Sequence, residues 1–383
     1  MAVSLMGPLA GIKIIEMKGI GPGPYAGMLL ADMGADVIVV ERSSETIGIA
    51  VPAEKDVTSR GKRSIAIDIK KPEGLKALLK LVETADVLFE SFRPGVAERL
   101  GVGPEQCHAI NPGLVYGRLT GWGQDGPLAN AAGHDINYIS LTGALAAIGG
   151  NEKPVPPLNV LGDYAGGSLF LVTGILAALL ESRQSGKGQV IDAAITDGSA
   201  SLMSVFHGFK ALGFWSEKRH SNLLDGAAYH YGVYETADGK FVSIGALEPQ
   251  FYALLVEKAG LDEELFGEQA GPEQWPALKE QLATVFKQRS RQEWCELLEG
   301  SDACFAPVLD FTEAPAHPHN HARGTYVTIG GVDQPGPAPR FSRSECQLPG
   351  KPRAEGADTE AVLRESGFSD TEIAALRDAG ALT

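Results

Sequence analysis

Long apolar runs are missing from this chain. No segment approaches the roughly 18 uninterrupted apolar residues that a membrane helix needs. The longest candidate, residues 169 to 180, has the length of a buried helix. Positive charge is scarce as well: 33 Lys and Arg against 48 Asp and Glu give a formal net charge of −15. Nucleic acid requires a basic face and is excluded as a partner, whereas a small phosphorylated ligand needs only a few local cations. Cysteines are few. Cys107, Cys295, Cys304 and Cys346 are scattered with no C-x-x-C spacing, which fits a reduced cytoplasmic protein with structural thiols. Cys304, in the apolar run 303–308, is expected to be buried and inert. The N-terminus shows no basic region followed by an apolar one, so no signal peptide is expected, and Ala381-Leu382-Thr383 is not a peroxisomal address. The turn Gly19 to Pro24 departs from G-x-G-x-x-G, and its prolines remove N–H donors that a pyrophosphate would use, which disfavours a nicotinamide cofactor. His317-Pro318-His319-Asn320-His321 has no carboxylate or thiolate beside it and reads as a polar loop, so no metal is expected.

What is present begins with length. A chain of 383 residues exceeds one compact core, so two domains are expected. Residues 12–17 form a short apolar strand, a Gly/Pro turn follows, and Pro24 suits the first turn of a helix through Met33. Residues 35–41 are the next strand, completing a βαβ unit of a parallel sheet. The pattern repeats as strand 64–69, helix 72–84, strand 85–89 and strand 114–119. Past residue 200 the character changes. Residues 231–236 and 240–246 flank Asp238-Gly239, a β-hairpin signal, and helices follow to about Leu298. The expected organisation is a large Rossmann-like α/β domain over 1–200, a linker over 201–224, a small α+β domain over 225–324, and an arm over 325–383. The arm is Pro-rich and extended, with a terminal helix starting at Ser369 and returning to the large domain.

Three segments could carry chemistry. In Gly133-His134-Asp135-Ile136-Asn137-Tyr138, small residues precede His134 and a helical apolar pattern follows. His134 therefore falls at a helix N-terminus, where free N–H groups can hold a developing oxyanion beside a base. The bland alternative is a histidine packing in a loop. Asp163, in the stretch from Asn159 to Gly167, is either an N-cap for the apolar helix from Leu169 or a second acid/base group. In the functional case Gly166 and Gly167 would let a ligand approach the backbone. Glu248, before Pro249, either caps the next helix or orients a histidine. Cations cluster at Arg42, at Arg60, Lys62 and Arg63, and at Arg93. Each alone is ordinary surface charge; together, read as lying at strand ends, they suggest a phosphorylated ligand.

Gly133 to Tyr138, residues 157–163 and residues 245–252, with Arg60 to Ser64, Gly121 to Gln124, Gly186 to Gln189 and Asp302 to Cys304, resemble the α-methylacyl-CoA racemases, a branch of the class III CoA-transferase superfamily. The resemblance runs from Gly11 to about Pro339. It implies an interlaced homodimer in which each site joins one subunit's large domain to the other's small domain. It also implies that His134 and Asp163 are paired bases, that Glu248 reaches His134 from the neighbouring chain, and that the Asp135 N–H stabilises an enolate. Asn159 is placed with this catalytic group. Arg42, Lys62 and Arg93 fall where the family holds CoA, and Arg60 and Tyr138 are grouped with them. CoA belongs to the substrate and no separate cofactor is implied. The implied setting is branched-chain lipid metabolism. Tyr229-His230-Tyr231 departs from the expected pattern and bears on acyl-chain preference.

Two competitors to racemisation remain at this level. In a CoA-transferase, Asp163 would be the nucleophile that carries an acyl group. A non-catalytic acyl-CoA carrier would keep Arg42 and Arg93 but would not need acids on both faces of its ligand.

Overall fold

The computed structural model describes residues 7–41 and 51–382. The chain divides into two compact units: Met1–Thr142 with Leu158–Leu202 and Gly324–Thr383, and Gly143–Pro157 with Met203–Arg323.

The first unit is built on a six-stranded sheet in the order β3-β2-β1-β4-β5-β6. Its strands are β1 (Lys13–Met17), β2 (Asp36–Glu41), β3 (Arg63–Ala66), β4 (Val87–Glu90), β5 (Val115–Thr120) and β6 (Val190–Ala194). Every neighbouring pair is parallel. The apolar runs read from the sequence are buried on both faces. Ile15, Ile38, Leu88 and Tyr116 enter one core, and Ile14, Val37, Val87 and Val115 enter the other. The helix Pro22–Asp32 has Pro22 in its first position, where a missing N–H costs nothing. The helix Leu169–Ser185 buries Leu171, Ile175 and Leu179 in the second of these cores. With the turns before it, the stretch Val160–Ser185 is long and apolar enough to cross a membrane, a test that core helices also pass.

Three sequence readings are adjusted here. β6 was not expected; it is an edge strand with exposed residues, and its pattern is too polar to stand out. The arm contains a hairpin, β10 (Tyr326–Ile329) with β11 (Val332–Pro335), and a further helix Thr359–Glu365 before Asp370–Asp378. Val362, Leu363, Ile373 and Leu376 then pack into the first core, so the terminal helices do belong to the large unit.

The second unit has the expected hairpin, β7 (Tyr231–Glu235) against β8 (Phe241–Gly245), joined by β9 (Phe305–Val308), all antiparallel. Its core gathers Tyr229, Tyr252, Phe266, Phe286 and Trp294. The stretch read as a linker carries the helix Ser204–Ala211, and residues 143–157 group with this unit instead of the first.

Candidate active site

The sheet order reverses between β1 and β4, and ligands of such sheets bind outside the carboxyl ends of the strands at that point. The two loops there are residues 18–21 and 91–95. Gly21 ends the first with φ 68°, a conformation that side chains resist, and a Cβ on it would stand 3.4 Å from Oδ2 of Asp163. The candidate carboxylate therefore overhangs the crevice.

Asp163 is not an N-cap. It lies inside a nine-residue π-helical stretch, Val160–Ser168, that continues directly into Leu169–Ser185. Such turns are rare and recur at functional sites. Asn159 Nδ2 donates to Asp163 Oδ2 at 3.2 Å. Burial pushes the Asp163 carboxyl above the usual carboxylate range; the Asn159 bond opposes that, the Asp135 charge adds to it, and the His134 imidazole opposes it.

His134 is the residue immediately before the helix Asp135–Ser140, as its sequence setting requires, and its side chain is exposed. Asn137 Oδ1 accepts the His134 backbone N–H at 3.1 Å. The N–H of Asp135, in the first turn, has no acceptor within the helix. The Asp135 side chain turns inward, only 6% exposed. Its Oδ1 accepts the Asp163 N–H at 2.6 Å and also engages the Gly162 N–H. Its Oδ2 is buried with no hydrogen-bond partner among the described residues. Tyr138 donates its hydroxyl to the Gly133 carbonyl and meets Trp122 edge-on, with centroids 4.8 Å apart. That hydroxyl braces the loop ahead of His134. The Tyr138 phenol is raised by burial and then by Asp163, and lowered by Arg93, which places these groups in one neighbourhood.

Arg93 is exposed in the loop after β4. Buried Glu90 shapes that loop: its carboxylate accepts the Phe92 N–H at 2.5 Å and pairs with Arg118 at 3.0 Å. Burial raises the Glu90 carboxyl to about 7, against the pull of the Phe92 N–H and Arg118.

The reading of Arg60 and Lys62 as phosphate-binding cations is corrected. Arg60 is 3% exposed and forks onto Asp32, at 3.1 and 2.6 Å, and onto Gln334. Lys62 is equally buried on Glu16 at 2.6 Å and the Pro24 carbonyl at 2.8 Å. Arg63 forks onto Asp36. All three precede or begin β3, at its amino end and not its carboxyl end, so they serve as struts. Arg42 lies outside the described residues.

Glu248 occupies the N-cap position of the helix Pro249–Ala259 but makes no capping hydrogen bond with its side chain, which is exposed. Cys304 is half-buried with φ 51°, not fully buried; burial and then Glu248 raise its thiol, which keeps it protonated. His230 is 3% exposed, ringed by Tyr229, Tyr252 and Trp275, with its Nδ1 unpartnered among the described residues. Gly166 faces Ser199 and Gly167 faces Ile195, so their close approaches are to the chain's own helix Ile195–Leu202 and not to a ligand. His317 pairs with Glu299 at 2.7 Å, and the residues after it form the short helix Pro318–Arg323 where a loop was expected. The sequence reading missed the Asp135 side chain, whose one signal was a charge beside the candidate base. It also missed Glu16, an acid in an otherwise apolar strand that demands a counter-ion.

The model of CoA-transferase family III matches residues 9–359. The α-methylacyl-CoA racemase of Mus musculus is 44% identical over 369 residues, covering 95% of each chain. The α-methylacyl-CoA racemase of Homo sapiens is 43% identical with the same coverage. Among solved structures, a CAIB/BAIF family protein from Brucella suis superposes with a TM-score of 0.80 at 29% identity, covering 94% of this chain and all of that one. By sequence and by fold, the chain belongs to CoA-transferase family III.

Proposed function

We propose that this chain racemises 2-methylacyl-CoA thioesters by moving the α-proton through an enolate. One base removes the proton from one face of the α-carbon, and the thioester oxygen takes up the charge. The conjugate acid of the other base returns a proton to the opposite face. His134 and Asp163 fill these roles. A preorganised donor to the enolate oxygen contributes about 3 kcal/mol, and the Asp135 N–H is the group at hand. Each positioned acid or base adds about 10²–10⁴-fold. Glu248 of a second copy orients His134, and Arg42 and Arg93 hold CoA. The observation that carries the reading is the Asp163 carboxyl overhanging the crevice beside β1, with its backbone tied to the Asp135 side chain next to His134. Similarity to the two mammalian racemases supports the choice of reaction. An interlaced homodimer is supported by exposed apolar residues, among them Leu169, Phe170 and Leu180 on one helix.

The test is incubation of (2R)-2-methylacyl-CoA in D₂O. The expected result is α-deuterium incorporation together with loss of optical purity, the latter lowered about 10²-fold or more by His134→Ala. Turnover that requires an added acceptor acid would instead assign a transferase, with Asp163 as nucleophile. Binding without turnover would assign a carrier.

A further inference from the structure

The first N–H groups of any helix lack acceptors within it. In the stretch Val160–Ser168 those donors include Gly162 and Asp163, third and fourth in line. Both are met by the Asp135 carboxylate, from a different element and 28 positions away in the chain for Asp163. Gly162 is the residue this arrangement requires, because a Cβ there would overlap Oδ1 of Asp135. Asp135 is also the residue next to His134. One side chain therefore ties the segment bearing one base to the segment bearing the other. The contact is buried, and the second oxygen, Oδ2, is left without a partner among the described residues. Packing alone would favour an apolar group there, since an orphaned buried polar atom is destabilising. A π-helical turn is also a less self-sufficient structure than an α-helix, so an outside anchor matters more to it.

We propose that the Asp135 side chain is a positioning residue that sets the spacing between His134 and Asp163. This inference rests on the two-base reading and adds a component to it. A loosened spacing leaves either base able to take the α-proton but handicaps the return of a proton from the opposite side. The enolate then recaptures a proton on the face it came from.

The test compares two quantities after partial reaction of one enantiomer in D₂O: deuterium in the recovered enantiomer and deuterium in the inverted product. For Asp135→Ala the ratio of the first to the second is expected to rise about tenfold or more, since a displacement of about 1 Å can cost about 10²-fold in rate. KM for the thioester should stay near the wild-type value. Gly162→Ala, which attacks the same contact from the other side, should give the same result. Asp135→Asn keeps a carbonyl oxygen in place of Oδ1 and should restore a ratio near wild type even if the alanine variants fold poorly. An unchanged ratio in Asp135→Ala, or an Asp135→Asn protein with an altered ratio, overturns the proposal. A wild-type enzyme that neither exchanges nor inverts overturns the two-base reading itself, and that outcome is distinct because it precedes any variant.

Discussion

At Asp163 opposing influences set a base of more than usual strength, and the largest of those that favour the carboxylate is the Asn159 amide. Removing it by Asn159→Ala withdraws a donor that favours the carboxylate form. The carboxyl should rise further. In the direction where Asp163 takes the proton, the acid limb of kcat/KM should therefore move to higher pH, and pH profiles from each pure enantiomer check this. His230 makes a prediction of the opposite kind. Burial lowers its pKa from 6.5, so the folded chain binds fewer protons than the unfolded one below that pH. Its neutral form is tolerated above 6.5, and stability is lost as pH falls from there toward the folded value. His230→Phe removes both this dependence and an unpartnered nitrogen, worth about 1–3 kcal/mol. Calorimetry from pH 7 downward should show the variant melting higher, with the gap widening as pH falls. The His134 and Asp163 motifs were legible in the sequence because their neighbours are distinctive. The fate of Arg60 and Lys62 was not. A basic run looks the same whether it faces water or an acid brought close by folding, and Asp32 and Glu16 lie 28 and 46 positions away.

Among elements, the β1–β3 edge depends on a buried ion pair, Lys62 with Glu16. Removing one partner strands the other charge in a dry core, at a cost of about 3–5 kcal/mol. Lys62→Met should therefore lower the denaturant midpoint sharply, and Glu16→Gln in the same chain should recover much of the loss. Equal midpoints for the single and double variants would contradict this. The strands with continuous apolar runs were read correctly because burial on both faces leaves no polar alternation to confuse them. β6 escaped because Val190 and Asp192 are exposed at the sheet edge, which breaks its apolar run. The π-helical stretch escaped for a different reason. Gly166 and Gly167 suggested ligand access, whereas they admit Ser199 and Ile195, and Gly162 admits Asp135. Close packing of this sort is decided by partners distant in the chain, which no local period reports.

For the molecule as a whole, the two-unit organisation was visible in the shift from βαβ repeats to a hairpin followed by helices. The grouping of residues 143–157 with Met203–Arg323 was not visible, because chain segments far apart in sequence meet there. If the proposed interlaced dimer exists, His134→Ala and Glu248→Ala damage one shared site from two different chains. Unfolding and refolding the two variants together should then regain about a quarter of wild-type activity, because half of the dimers are mixed and each mixed dimer has one intact site. Activity no higher than the average of the two variants would place both residues of each site in one chain. The claim on which all of this depends is that the two bases serve opposite faces of one carbon. The most direct measurement is α-proton exchange in D₂O with each enantiomer, for His134→Ala and for Asp163→Asn. The account predicts that each variant still exchanges one enantiomer without inverting it, and that the two variants retain opposite enantiomers. Retention of the same enantiomer by both, or of both enantiomers by either, would contradict it.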